Sequence, residues 1–238
     1  MTAWEVDQAI ERVARRQHGA FNDRQARLVG ATHRMIRRRA AGGRWVELDR
    51  LVYALPSHPG TWRRQCMAAI LAVEPAAVSH ASAAVLHGLA GFREGHIHLV
   101  VPRGGKRATS LATVHESSWP QHTVVDGIRV VTLVDTLFQL AHNTDEFRLR
   151  RALGDAMAAH RDLAPALFDR YVDLAPKRLS GIRTMRSLLE DYDETGAPPA
   201  SELELLLDQL LDSLDGLRVA SGRRLSPGGS GATLASTC

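Results

Sequence analysis

The residues with the clearest chemical potential are cationic and close together: Thr32-His33-Arg34-Met35-Ile36-Arg37-Arg38-Arg39-Ala40-Ala41-Gly42. Thr32 can cap a helix start and Gly42-Gly43 can end it. At helical spacing Met35, Ile36 and Ala40 fall toward a core. His33, Arg34, Arg37, Arg38 and Arg39 fall outside, with no acid among them. A helix that packs on one side and is purely cationic on the other suits a phosphate backbone. The same pattern also fits a solvated surface helix, so the neighbouring elements have to decide. Within the stretch, His33, Arg34, Arg37 and Arg38 are the expected readers of DNA, and Arg39 an exposed residue or phosphate contact.

Other clusters invite other chemistry. There are eleven histidines. His80 and His87 share a helix face, His96 and His98 share a strand face, and His115 can lie on a neighbouring strand. A zinc site needs convergent ligands at defined spacing, and the chain has neither a Cys pair nor a His-Glu-x-x-His. No metal is expected; His80 and His87 are expected to cap or hydrogen-bond buried backbone beside a sheet. The loop Arg103-Gly104-Gly105-Lys106-Arg107 lets backbone approach a phosphate closely, but it lacks the Walker pattern and a helix directly after it. It reads as a secondary basic loop for DNA or a protein partner, or as a plain exposed loop. Ser79-His80 with Asp135 supplies the residue types of a nucleophile triad, without the Gly-x-Ser-x-Gly elbow that would place them. No catalytic residue and no cofactor are therefore expected.

Composition narrows the setting. The 238 residues are 45% hydrophobic and 24% charged, enough apolar material for a sizeable core. No apolar run approaches the roughly 18 residues of a membrane span, and no signal-peptide segment opens the chain, so a cytoplasmic location and no membrane partner are expected. Cys66 and Cys238 are too few for a disulfide framework. The net charge of +4 is uneven: residues 1–55 hold 11 Arg against 6 acids, +5, and residues 56–238 hold 19 bases against 20 acids, −1. A positive excess confined to the first quarter points to nucleic acid bound by an N-terminal module.

The elements around the arginine cluster support that reading. Residues 4–17 have helical spacing, with Val6, Ala9, Ile10, Val13 and Ala14 as one apolar stripe. Phe21 follows as a single apolar anchor, and Asn22 or Asp23 caps a second helix over 24–29 that ends at Gly30. Helices two and three, joined through Gly30-Ala31-Thr32, have helix-turn-helix spacing. Residues 44–48 and 51–55 are β-rich and linked by Asp49-Arg50, a hairpin. Three helices and a hairpin are the winged-helix order, over residues 1–56. Arg44 before the hairpin and Arg50 near its tip complete the expected DNA-binding set. Residues 61–195 read as a mixed α/β unit followed by helices: helices over 61–73 and 80–89 (capped by Ser79), strands over 96–101, 111–116 and 127–132, then helices over 133–142, 145–159, 165–174 and 181–192. Residues 199–217 read as an acidic amphipathic helix with Ser201 and Glu204 as a capping box, and 218–238 as a disordered tail. The overall class is α+β.

The order of motifs resembles the actinobacterial AbiEi-like antitoxins of type IV toxin–antitoxin systems. The likeness rests on the helix ending Ile36-Arg37-Arg38-Arg39-Ala40-Ala41-Gly42, the wing 45–55, and the segment Val78-Ser79-His80-Ala81-Ser82-Ala83-Ala84-Val85-Leu86-His87-Gly88-Leu89. It extends through Ile97-His98-Leu99-Val100-Val101-Pro102-Arg103-Gly104, Val114-His115-Glu116-Ser117, Asp126-Gly127-Ile128-Arg129-Val130-Val131-Thr132 and Asp135-Thr136-Leu137. The resemblance spans roughly residues 5–195. It implies a DNA-binding antitoxin that represses its own operator and counters a nucleotidyltransferase-like toxin, with the oligomeric state open. Two departures stand out. The family wing usually carries Gly where this chain has Leu51. Many relatives also continue into a domain resembling very-short-patch-repair endonucleases, for which residues 199–217 look like an opening helix without the metal-binding strands. The alternatives are an inactive remnant of such a fusion, or a plain protein-interaction module.

Overall fold

The chain starts with a helix because its first residues cap one another. The Thr2 hydroxyl accepts from the Glu5 amide at 3.3 Å and the Glu5 carboxylate accepts from the Thr2 amide at 2.7 Å. In the computed structural model, which describes residues 2–105 and 108–194, this opens α1 (Ala3–Arg15), whose Val6, Ala9, Ile10 and Ala14 are buried. Strand β1 (Ala20–Asn22) follows, then α2 (Asp23–Leu28), capped reciprocally by Asn22 and Gln25, and α3 (His33–Ala41), capped by Thr32. Strands β2 (Val46–Asp49) and β3 (Val52–Ala54) form the expected hairpin, and β1 joins it to make an antiparallel sheet in the order β1-β3-β2. Phe21, expected as a lone anchor, sits in β1 opposite Tyr53 and meets Trp45 edge-on at 4.9 Å between ring centroids.

The turn between β2 and β3 places Leu51 in an unusual backbone conformation. Its φ of 62° lies in the left-handed region that favours glycine. A leucine thus carries the strain of this turn. The Leu51 carbonyl accepts from the Asp23 amide at 2.8 Å, which holds the turn against the start of α2.

Helix α4 (Trp62–Ala72) is buried on nearly every side, through Trp62, Cys66, Met67, Ala68, Ala69, Ile70 and Leu71. A helix so apolar needs neighbours all round. It packs against β1, β2 and β3 and against the larger sheet, and Ala20 and Val52 share its core with Val78, Leu99 and Val130. Residues up to Asp191 belong to one compact unit, in which Val6, Ile10, Phe21, Ile36, Trp45 and Tyr53 form a cluster of their own beside the core around α4. Burial pushes the Cys66 thiol up to about 12, so it behaves as a small apolar side chain.

The larger sheet is mixed, in the order β6-β5-β4-β8-β7. It contains β4 (Ala77–Val78), β5 (Ile97–Val101), β6 (Ala112–Glu116), β7 (His122–Val125) and β8 (Ile128–Val131). Helix α5 (His80–Leu86) leaves β4 directly. The remaining helices are α6 (Leu133–Asn143), α7 (Glu146–Ala159), α8 (Leu163–Leu174) and α9 (Ile182–Glu194). The fold is α+β, as the sequence predicts. The expected amphipathic helix 199–217 and tail 218–238 lie outside the described residues.

Candidate nucleic-acid interface

Helix α3 has one face inward and one outward. Ile36 is fully buried, and Met35 and Ala40 pack partly against the same cluster of Val6, Ile10, Phe21 and Trp45. On the other side His33, Arg34, Arg37 and Arg38 are all exposed. Arg34, Arg37 and Arg38 are spaced i, i+3 and i+4, so they share a face. Among the described residues none of the four makes an ion pair, and α3 carries no acid. The structure therefore brings these expected readers together.

Arg39 is a correction. Helical spacing puts it on the outside, yet it is 3% exposed. Its Nε donates to Asp7 Oδ1 at 2.6 Å, one terminal nitrogen donates to the Ala3 carbonyl at 2.9 Å, and the guanidinium lies 5.2 Å from the Trp45 ring. It ties α3 to the start of α1 and cannot reach a ligand on the outer face. The physical reason is tertiary: Arg39 is turned about 100° from Arg38, toward the side where α1 packs and presents Asp7. Asp7 also lies 3.5 Å from the exposed Arg44 guanidinium, so this expected DNA contact already has a carboxylate beside it.

The hairpin tip is anchored twice. The Arg50 amide donates to Asp49 Oδ1 at 2.7 Å. Asp49 Oδ2 accepts from the Thr109 hydroxyl and, at 3.2 Å, from the Ser110 amide. Burial raises the Asp49 carboxyl, but these hydrogen bonds outweigh it and hold the group below its usual range. The Arg50 side chain stays exposed and without an ion pair among the described residues. Arg103 is exposed at the start of the basic loop, where the Gly104 amide meets Glu116 Oε2 at 3.5 Å; Lys106 and Arg107 lie outside the described residues. One exposed cation outside the expected set is Arg24 on α2, which makes no ion pair among the described residues, whereas its neighbour Arg27 is tied to Asp23 at 2.6 Å. A sequence signal for it exists: Asp23 and Arg27 are i, i+4, leaving Arg24 as the residue without an acid at that spacing.

The histidines gather where α5 meets β5 and β6. His98 Nδ1 and His115 Nε2 are 3.1 Å apart, and the His80 ring centroid is 4.3 Å from that of His115. Burial, then His115, His98 and His142, push His80 down to about 3, and burial also lowers His98 and His115. The cluster is neutral near pH 7. His87 Nε2 donates to the Val131 carbonyl at 2.7 Å, the backbone role expected of it. Ser79 stands at the N-cap of α5 but does not cap it; its hydroxyl meets His80 Nδ1 at 2.9 Å. Asp135 is bound to Arg170 at 2.7 Å rather than to a histidine. Among the described residues no three His, Cys, Asp or Glu side chains form a metal-holding group, and no helix is long and apolar enough to cross a membrane.

No family model matches this sequence, and no curated protein is significantly similar to it.

Proposed function

We propose that this chain is a sequence-reading, double-stranded DNA-binding protein of the antitoxin and autorepressor type, acting in the cytoplasm. The observation that carries the reading is the outer face of α3: three arginines and a histidine, exposed, unpaired among the described residues, and held by an inner face that is buried. Such a face neutralises phosphates without first breaking internal ion pairs. In this reading the order α1–β1–α2–α3–β2–β3 is a winged helix. Helix α3 enters the major groove, and the β2–β3 turn brings Arg50 to the backbone or the minor groove. The resemblance to AbiEi-like antitoxins supplies the rest of the proposal: the target is the chain's own operator, the partner is a nucleotidyltransferase-like toxin, and the protein is not an enzyme.

The test is binding to the DNA upstream of the chain's own coding region. The triple variant Arg34→Ala, Arg37→Ala, Arg38→Ala is expected to bind more weakly. Its dependence of log K on log salt should be flatter, by about 0.9 for each of the three arginines that meets a phosphate rather than a base. Unchanged affinity and slope would sink the DNA reading. Co-purification with the product of an adjacent gene tests the toxin part separately.

A further inference from the structure

We infer that α3 reads guanine: the bound half-site carries at least two guanines within three consecutive base pairs where α3 lies in the major groove. This rests on the reading above, in which α3 is the helix that enters the groove.

Elimination along a single helix face leads to guanine. Direct reading of a base edge needs a side chain matched to its donors and acceptors. Adenine is matched by Asn or Gln, cytosine by Glu or Asp, the thymine methyl by a small apolar group, and guanine O6 and N7 by the two parallel N–H groups of Arg. Helix α3 contains no Asn, Gln, Asp or Glu. The Thr32 hydroxyl accepts from the Met35 amide at 3.2 Å, and a single hydroxyl pairs with more than one kind of base edge, so it fixes none. Met35 and Ala40 are partly buried against the core, and the exposed Ala41 sits at the last position, away from the N-terminal half. The outward groups left are His33, Arg34, Arg37 and Arg38. Arg39, which a count of arginines would include, is removed by its bonds to Asp7 and Ala3.

Spacing sets how many guanines. Along a helix rising about 1.5 Å per residue, Arg34 and Arg37 are about 4.5 Å apart and Arg34 and Arg38 about 6 Å. Successive base pairs rise about 3.4 Å. Two arginines on this face therefore fall over bases one or two steps apart.

The experiment is selection of the full-length chain on a pool of random duplexes at about 150 mM salt, followed by affinity measurements on the enriched sequence. Enrichment of two guanines within three base pairs is expected. Replacing either with 7-deazaguanine, which removes the N7 acceptor and leaves the minor groove unchanged, should weaken binding about 5- to 150-fold. Arg34→Ala and Arg37→Ala should each erase the preference at one guanine and keep it at the other, with unchanged thermal unfolding. Tight binding with no guanine preference, or enrichment of A·T pairs alone, overturns this inference and leaves DNA binding intact. No binding to any duplex at about 50 mM salt overturns both.

Discussion

On the outer face of α3, Arg34, Arg37 and Arg38 stand in water without ion-pair partners among the described residues, whereas at the junction of α6 and α8 Arg170 is folded over Asp135. There the Arg170 side chain is 11% exposed and the Asp135 carboxylate 1% exposed. Arg170 also donates to the Trp119 carbonyl at 2.6 Å, and Asp135 accepts from the Gln121 amide. The residue type is the same and its job is opposite. A buried guanidinium is bound to internal acceptors and serves the fold; an exposed one contributes little to stability and is free to meet a ligand. Arg39 belongs with Arg170 although it is a neighbour of Arg38.

Substitutions should separate the two kinds of arginine. Arg170→Ala leaves the Asp135 carboxylate buried and uncompensated. It should cost about 3 kcal/mol or more, a fall in Tm of roughly 6–12 °C for a unit of this size, read by calorimetry. Arg39→Ala removes two charged hydrogen bonds and should cost about 2 kcal/mol. It should weaken DNA binding only through loosening of α3, so the salt slope is retained. A lost slope with unchanged stability would return Arg39 to the reading face. The triple α3 variant should show the reverse pattern: DNA affinity lost, Tm within about 1 °C.

Acid offers a third contrast, between charged arginines and neutral histidines. His80 titrates near 3 in the folded chain against 6.5 for a free side chain. Below pH 6.5 the unfolded chain takes the proton first, so stability is full above pH 6.5 and falls as pH drops from 6.5 toward 3. The loss approaches about 1.4 kcal/mol per pH unit for this group. Urea midpoints measured from about pH 7 to about pH 4.5 should fall steeply, and His80→Phe should flatten that dependence. The smallest effect concerns the hairpin turn. Leu51→Gly relieves a left-handed leucine worth about 1–2 kcal/mol, partly offset by glycine's entropy; a net gain of about 0.5 kcal/mol is expected from denaturant unfolding.

Elements with a period were legible in the chain. The stripe Val6, Ile10, Ala14 marks α1, the alternation through Ile97, Leu99 and Val101 marks β5, and Thr32 with Gly42 brackets α3 to within a residue of its observed limits. Elements without one were not. β4 has two residues and β1 three, too few for any periodicity to register, and β7 is largely exposed, so its residues carry no apolar alternation. These strands exist because a partner strand supplies their hydrogen bonds, which is a long-range fact.

The candidate site divides in the same way. By itself the sequence determined that a cationic helix without acids lies in a positively charged first quarter, because charge and helical period are local properties. Only the tertiary structure decided which arginines face water. Arg38 and Arg39 are adjacent and chemically identical, and what separates them is Asp7, 32 residues away from Arg39, which the packing of α1 against α3 brings within 2.6 Å of one and not the other.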